Sequence, residues 1–246
     1  MGTAIVITSG KGGTGKTTTA AAVASCLAAL GKKTLCLDAD AGLKNLDIAL
    51  CMPDAAYMDF YDVIQGRAAL DRAAASHPSI KNLYFLTAPV SVPPEDINID
   101  DMKKLISDIK EKFDYCVIDS PAGIGAGFRL AAAGADMAIV VANCDLSSLR
   151  DGQRTVIELH ALGIKNVRLL VNRVRPRVLR LLRSTIDDVI DAVGAQLIGL
   201  ISEDDGVSLS AGAKVPLIMY DTKKAGMQYL RVTRRLLGDR IPIGRV

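Results

Sequence analysis

A glycine-rich loop near the start of the chain constrains its fold more than any other feature of the sequence. Residues Gly10-Lys11-Gly12-Gly13-Thr14-Gly15-Lys16-Thr17 fit the pattern G-x-x-x-x-G-K-S/T, between a β-branched run and a long helical pattern. Glycines let backbone N–H groups approach phosphate oxygens, and a helix N-terminus adds a favourable dipole. The loop therefore predicts a strand–loop–helix unit that binds nucleotide phosphates. A glycine-rich turn without a ligand is the structural alternative.

The loop side chains predict the cofactors ATP and Mg²⁺. Lys16 can reach the β- and γ-phosphates, and the Thr17 hydroxyl can ligate Mg²⁺. The residues expected to surround the nucleotide are Gly10, Lys11, Gly12, Gly13, Thr14, Gly15, Lys16, Thr17 and Thr18.

Apolar runs alternate with helical patterns along the rest of the chain, as is typical of repeated βαβ units. Strands are predicted at Ala4–Thr8, Thr34–Leu37, Leu83–Thr87, Tyr115–Ile118, Met137–Val141, Val167–Val171 and Gln196–Ile201. Helices are predicted at Lys16–Leu30, Asp101–Phe113, Leu149–Leu162, Thr185–Val193 and Lys224–Leu237. We expect an α/β fold with a doubly wound, mostly parallel sheet and helices on both faces. Because no linker or repeat interrupts the chain, residues 1–246 are expected to form one domain.

Composition limits the partners and the compartment. The net charge is +3, from 30 basic and 27 acidic residues, which gives no strong electrostatic reason to expect nucleic acid. The five cysteines are widely spaced among apolar neighbours, so buried reduced thiols are expected rather than disulfides or a metal cluster. No secretory signal pattern and no apolar stretch of about 20 residues occurs. We expect a cytoplasmic protein that is soluble or at most peripheral.

Acidic residues follow two of the predicted strands. Asp38 and Asp40 come after Thr34–Leu37, and Asp119 ends the apolar run that starts at Tyr115. The carboxyl ends of parallel strands are where doubly wound folds bind ligands. The sequence therefore places these carboxylates beside the phosphate loop, where Asp119 would hold Mg²⁺ through a water molecule. Ordinary turn residues are the structural alternative for such acids.

A second lysine in the loop carries a resemblance to a known family. The segment from Lys11 to Thr17 resembles the deviant Walker A motif of the MinD/ParA ATPases, and the segment Asp119-Ser120-Pro121-Ala122-Gly123 is similar to another motif of that family. The resemblance implies that Lys11 reaches the nucleotide of a partner subunit, and the alternative is a solvated lysine. It also implies that Asp40 orients or deprotonates the attacking water and that Asp38 supports either the magnesium site or the switch segment that follows it.

The resemblance completes the expected site. It implies that Asn172, at the end of Val167–Val171, contacts adenine through its amide. The expected catalytic residues are Lys11, Lys16 and Asp40, and the expected metal-site residues are Thr17, Asp38 and Asp119.

Further segments are similar to the MinD branch of the family rather than to its plasmid-partition branch; they are residues 42–47, 61–66, 81–84, 147–151 and 235–238. This resemblance implies an ATP-dependent homodimer with slow, partner-stimulated ATP hydrolysis that acts in division-septum placement. The implied partners are a MinC-like septation inhibitor and a MinE-like or pole-anchored regulator. Peripheral association with the inner face of the cell membrane stays open.

Three segments depart from the family pattern. Residues 178–184 differ from the family after Pro176, and Ile201-Ser202-Glu203-Asp204 lacks a proline that often stands in a base-contacting loop. After Arg240 the chain has only six residues, and Pro242 disfavours the short amphipathic membrane helix of the family there. Direct membrane anchoring is therefore unsupported by the sequence.

Two basic segments leave alternatives open. The helical pattern at 224–237 is typical either of a last helix that packs on the sheet or of a basic membrane helix. The arginines at 173, 175, 177, 180 and 183 form either a solvated face or an anion-binding surface.

Other P-loop proteins provide alternatives to septum placement. A DNA-segregating ATPase would use these arginines on DNA, and a flagellar-number or cell-pole regulator would differ only in its partners. Iron–sulfur relatives are disfavoured because the chain has no C-x-x-C motif. A metabolic kinase is disfavoured because no substrate pocket is evident in the sequence and Lys11 has no obvious role in one.

Overall fold

One twisted sheet organises the chain in a computed structural model that describes residues 1–42, 45–53, 58–181, 183–220 and 224–244. The strands are β1 Thr3–Thr8, β2 Thr34–Asp38, β3 Ala75–Ser76, β4 Leu83–Leu86, β5 Tyr115–Asp119, β6 Met137–Ala142, β7 Asn166–Val174 and β8 Gln196–Ser202. Their order in the sheet is β3-β4-β2-β5-β1-β6-β7-β8. All neighbouring pairs are parallel except β3 and β4. This order confirms the predicted doubly wound, mostly parallel sheet.

Helices cover both faces of the sheet. They are α1 Lys16–Ala29, α2 Leu46–Ala49, α3 Phe60–Ile64, α4 Leu70–Ala73, α5 Ile99–Lys112, α6 Ala126–Ala132, α7 Leu146–Ala161, α8 Pro176–Leu181, α9 Ile186–Val193, α10 Gly206–Gly212, α11 Leu217–Tyr220 and α12 Ala225–Leu236. One buried cluster joins α1, α2, α11 and α12 to one face of the sheet, and another joins α5, α6, α7 and α9 to the other face.

Capping residues explain where two helices begin. The Asp145 carboxylate accepts a hydrogen bond from the Ser148 N–H, so α7 begins at Leu146 rather than at the predicted Leu149. Asn98 caps α5 in the same way, and this helix begins two residues before the prediction. A side-chain oxygen that satisfies an unpaired helical N–H therefore sets each start.

Short elements escaped the sequence analysis. The antiparallel strand β3 has two residues, and α2, α4 and α11 each have four, which is too short to show a period. The helix α12 packs on the sheet, because Tyr229 and Val232 are fully buried against α1 and β8. The core-packing alternative is therefore confirmed for this helix.

The thiols are free, as predicted. Cys26, Cys36 and Cys116 are buried, and Cys51 and Cys144 are half-buried. Burial raises the pKa of the Cys26 thiol to about 12. In the described ranges no helix is both long and apolar enough to cross a bilayer.

Parts of several predictions lie outside the described residues. These are Leu43 and Lys44 in the 42–47 segment, Leu182 in the 178–184 segment, and Arg245 and Val246 at the end of the chain.

The strand order brings the predicted site to one edge of the sheet. Strand β1 lies between β5 and β6, which is the point where the order of the strands reverses. The loop after β1 and the acids at the ends of β2 and β5 therefore meet at the carboxyl edge, where open α/β sheets bind ligands.

Candidate functional site

The glycine loop has a backbone that requires glycine at two positions. Gly13 has φ +78° and Gly15 has φ +98°, and Gly15 forms the left-handed N-cap of α1. A Cβ atom on Gly15 would lie 2.2 Å from Nδ2 of Asn172. A side chain at Gly15 is therefore disfavoured by backbone strain, and it would also displace the Asn172 amide from its hydrogen bond with Thr14.

Asn172, near the end of β7, holds the phosphate loop through hydrogen bonds. Its Nδ2 donates to the carbonyl oxygen of Thr14 over 2.8 Å, and its Oδ1 accepts from the Arg173 N–H over 2.9 Å. On the other side, Gly10 packs so closely against α7 that an added Cβ would lie 2.4 Å from the carbonyl oxygen of Asp151. The loop is thus wedged between the end of β7 and the helix α7.

A cavity of about 550 Å³ opens beside the loop. Its loop wall is formed by Gly12, Gly13, Gly15, Lys16, Thr17 and Thr18. Asp40 and Pro121 contribute from the loops after β2 and β5, and Arg173, Val207 and Leu217 extend the wall away from the loop. A volume of this size and mixed polarity suits a small charged ligand with an apolar portion.

Lys16 is the first residue of α1, and its side chain is buried. It is 8% exposed, and desolvation lowers its pKa, although the carboxylates of Asp119 and Asp40 act in the opposite direction. A buried ammonium group is stabilised by anions nearby, and phosphate oxygens would supply more of them.

Asp38 and Asp119 stand side by side at the ends of adjacent strands. Their Cα atoms are register partners in the β2–β5 pair, and the two residues are 1% and 2% exposed. Desolvation raises the pKa of Asp38 to about 6 and that of Asp119 to about 8. Two buried carboxylates this close disfavour ionisation until a cation balances them.

The environment of Asp119 fits a magnesium ion. The Thr17 hydroxyl interacts with the Asp119 carboxyl group and opposes the rise in its pKa that desolvation causes. Oδ1 of Asp119 is buried without a hydrogen-bond partner among the described residues. Among the residues that the structure describes, no three His, Cys, Asp or Glu side chains converge as a metal cluster. Mg²⁺ usually keeps few protein ligands and takes the rest from phosphates and water, so these oxygens suit it.

Asp40 is held at the cavity by local bonds. Its N–H donates to Oδ1 of Asp38 over 2.9 Å, and its own Oδ1 accepts from the Gly42 N–H over 3.1 Å. Both carboxylates thus belong to one tight turn, which orients Asp40 toward the same cavity as Lys16 and Thr17.

Lys11 points away from this cavity. Its Nζ lies 2.8 Å from Oγ of Ser147 and 3.4 Å from Oδ1 of Asp145, at the start of α7. The Lys11 side chain is 46% exposed. The same Asp145 oxygen caps α7 and accepts from the Ser147 hydroxyl, and these donors lower the pKa of Asp145 despite desolvation.

The structure thus brings most of the predicted residues together and separates a few. Lys16, Thr17, Thr18, Asp40 and the glycines at 12, 13 and 15 line the cavity. Gly10 and Thr14 anchor the loop, Gly10 by packing against Asp151 and Thr14 by accepting a hydrogen bond from the Asn172 amide. Because the Asn172 amide is engaged in this way, its contact with a base stays a prediction.

The loop after β8 is occupied by internal contacts. Glu203 is paired with Arg175, while the Asp204 carboxylate accepts from the N–H groups of Gly206 and Ala225. Sequence reasoning missed Asp145 as the partner of Lys11, although Asp145 and Ser148 have the spacing of a helix cap.

Comparison with known proteins places the chain in a family. The profile of the CobQ/CobB/MinD/ParA nucleotide binding domain matches residues 5–217. The septum site-determining protein MinD of Synechocystis sp. is 38% identical over 244 residues, which cover 98% of this chain and 92% of that protein. The Escherichia coli protein of the same name is 37% identical, with 98% and 93% covered.

Solved structures agree with these relatives. The MinC:MinD cell division protein complex of Aquifex aeolicus contains a chain with TM-score 0.91 and 35% identity, with 99% of this chain and 98% of that chain covered. MinD complexed with Mg-ADP from Pyrococcus horikoshii has TM-score 0.84 and 26% identity, with 98% and 100% covered. The phosphate loop, the strand order and these matches agree, and the chain belongs to the MinD group of the CobQ/CobB/MinD/ParA family of nucleotide-binding proteins.

Proposed function

We propose that this protein is an ATP-dependent dimerising switch of the MinD type, which hydrolyses ATP slowly and acts in placement of the division septum. The observation that carries this proposal is the convergence of Lys16, Thr17, Asp40 and Asp119 at one phosphate-sized loop, with Lys11 directed outward. The MinD relatives, which match this chain over nearly its whole length, support the biological role.

In this proposal, the residues in and beside the cavity have separate roles in ATP hydrolysis. Lys16 and the loop N–H groups would bind the β- and γ-phosphates, since they combine a buried cation with the N-terminus of α1. Thr17 and Asp119 would hold Mg²⁺, which neutralises charge on the phosphates, and Asp38 would support this site. Asp40 would orient the attacking water or accept its proton.

Lys11 connects nucleotide binding to dimer formation in this proposal. Its ammonium lies on the surface, bonded to Ser147 and Asp145 rather than to the cavity of its own subunit. If Lys11 reaches the phosphates of a partner subunit, the triphosphate is better compensated in the dimer than in the monomer. ATP then favours the dimer, and hydrolysis returns the monomer.

The dimer would recruit other proteins. The relative from Aquifex aeolicus is in a complex with MinC, and we extend a MinC-like inhibitor to this chain on that basis. A MinE-like or pole-anchored regulator would stimulate hydrolysis, and the dimer would act at the inner face of the cell membrane.

Hydrolysis assays with two variants test the enzymatic part of the proposal. Wild type should release phosphate from ATP, Asp40→Ala should bind a fluorescent ATP analogue but hydrolyse at most about one hundredth as fast, and Lys16→Gln should lose binding. Equal hydrolysis by wild type and Lys16→Gln would reject this site.

A DNA-segregating ATPase is the second candidate, favoured by one observation. Arg177 and Arg180 are exposed on α8, and neither forms an ion pair with another described residue. DNA binding that needs ATP, falls steeply with salt and is lost in the double variant Arg177→Ala, Arg180→Ala would favour this candidate. No binding at low salt would reject it.

A further inference from the structure

We infer that His77 is a positioning residue for the nucleotide site, which holds the loop of Asp38 in place through the one-turn helix α2. This inference rests on the proposed function, because it assigns a role within the same site. His77 follows the short edge strand β3, and its imidazole is buried with 7% exposed.

The hydrogen bonds of His77 fix its tautomer. Nδ1 lies 3.0 Å from the N–H groups of both Ser79 and Ile80, so it must accept and carries no proton. Nε2 therefore carries the proton and donates to the carbonyl oxygen of Leu50 over 2.8 Å. The imidazole is a neutral link from the β3–β4 hairpin to the residue that ends α2.

The link continues through α2 to Asp38. The Leu50 N–H donates to the Leu46 carbonyl oxygen over 2.9 Å. The Leu46 N–H interacts with the Asp38 carboxylate and opposes the rise in the pKa of Asp38 that desolvation causes. His77 holds the C-terminal end of α2 through Leu50, and Asp38 interacts with its N-terminal end through Leu46. The helix is one turn long, so a shift at one end moves the other.

One turn of helix is unstable by itself and needs outside contacts. Leu46 and Leu50 supply apolar burial, since both are fully buried in the same cluster as Ile80 and Leu83. Apolar contacts are non-directional, whereas the bond from His77 fixes where the Leu50 carbonyl points. The hairpin that carries His77 is itself fixed, because the His77 N–H donates to Leu83 of β4 over 2.8 Å.

The position of α2 matters for the cavity. Ile48 and Ala49 form part of the cavity wall, and Asp40 belongs to the turn that Asp38 caps. A displaced α2 would loosen the Asp38 carboxylate and the turn that carries Asp40. We therefore expect His77 to affect binding of the magnesium-bound nucleotide more than binding of the nucleotide alone.

Two substitutions separate the bonds of His77. His77→Asn keeps an oxygen near the position of Nδ1, which can accept from Ser79 and Ile80, but its side chain is too short to reach Leu50. His77→Gln places an amide N–H near the position of Nε2 and can restore the bond to Leu50. His160, which is exposed on α7 and bonds to Ile164, is the control in the form His160→Asn.

Hydrogen exchange of the full chain without nucleotide is measured first, followed by binding of a fluorescent ATP analogue with Mg²⁺ and with EDTA. In His77→Asn, the Leu46 amide should exchange about tenfold faster while the strands keep their protection. Affinity should fall about fivefold with Mg²⁺ and less than about twofold with EDTA. His77→Gln should recover most of both losses, and His160→Asn should match wild type.

Other outcomes would overturn the inference. Unchanged Leu46 exchange and unchanged affinity in His77→Asn would show that the link carries nothing to Asp38. Equal losses with Mg²⁺ and EDTA, together with faster exchange throughout the sheet, would show a purely structural residue. If wild type itself fails to bind the analogue, the proposed function fails, and the Leu46 exchange alone still decides whether His77 holds α2.

Discussion

The Lys11 ammonium lies 2.8 Å from the Ser147 hydroxyl of its own chain, on the outer side of the phosphate loop. Since the Lys11 side chain is 46% exposed, its contacts within the subunit should contribute little to stability. The free energy of unfolding of Lys11→Ala should therefore lie within about 0.5 kcal/mol of the wild-type value.

The same variant should lose ATP-dependent dimerisation, because we propose that Lys11 acts in the nucleotide site of the partner subunit. Urea unfolding and sedimentation with ATP measure the two effects separately. Ser147→Ala is the matched control, since it removes one of the two partners of Lys11 but keeps the ammonium. Wild-type dimerisation by Lys11→Ala would contradict the assigned role.

Gly15 and Gly12 should respond differently to the same substitution. Gly15 has φ +98°, and a Cβ there would clash with Asn172, whereas a Cβ on Gly12 would meet no atom within 4 Å. We expect Gly15→Ala to lower the free energy of unfolding by about 2 kcal/mol or more and Gly12→Ala by about 0.5 kcal/mol at most. Chemical denaturation of the two variants measures this, and equal losses would show that the close approach to Asn172 is not a constraint.

Replacing the Asn172 amide with a carboxylate should destabilise the protein more than removing the amide. Its Nδ2 donates to the Thr14 carbonyl oxygen in a site where Asn172 is 5% exposed. Asn172→Asp replaces this donor with an acceptor that faces another acceptor, so stability should fall by about 2 kcal/mol and nucleotide affinity should fall with it. Asn172→Ala, which removes the bond without repulsion, should be less damaging. A fully stable Asn172→Asp would contradict the geometry.

The nucleotide-free protein should lose stability as pH rises, and Asp119 should be one cause. Desolvation raises its pKa to about 8, although its interaction with Thr17 acts in the opposite direction. The pKa in an unfolded chain is about 4, so between these values the folded state keeps a proton that the unfolded state has lost. Stability therefore falls as pH rises through this window, and the loss is complete above the folded pKa.

Asp119→Asn mimics the protonated acid at every pH. From pH 5 to pH 8 the free energy of unfolding should fall less in Asp119→Asn than in wild type, and the two falls should differ by about 2 kcal/mol or more. Urea unfolding at the two pH values gives this difference, with Asp108→Asn on the exposed side of α5 as a control. Parallel pH profiles of wild type and Asp119→Asn would show that the carboxyl group is not protonated in the folded state.

Features that depend on residues next to each other in the chain could be predicted from the sequence. Buried strands appear as short apolar runs, so each predicted strand lies within a few residues of an observed one. The loop between β1 and α1 has a spacing that only phosphate binding explains well, and the acids after β2 and β5 meet because parallel strands end together.

Contacts across the fold were not predictable. Thr14 and Asn172 are 158 positions apart, and Lys11 and Ser147 are 136 positions apart. No local pattern links such pairs, because the strand order decides which loops meet. The far wall of the cavity at Val207 and Leu217 comes from short helices that leave no period in the sequence.

The most direct test of the switch is the molecular mass in solution, measured by light scattering with ADP and with ATP. Asp40→Ala is used to slow hydrolysis during the measurement, and the double variant Lys11→Ala, Asp40→Ala is the control. The switch predicts a mass that doubles with ATP, stays monomeric with ADP, and stays monomeric with both nucleotides in the double variant. A mass that is the same with ADP and ATP would contradict it and leave a nucleotide-binding protein without a nucleotide-gated dimer.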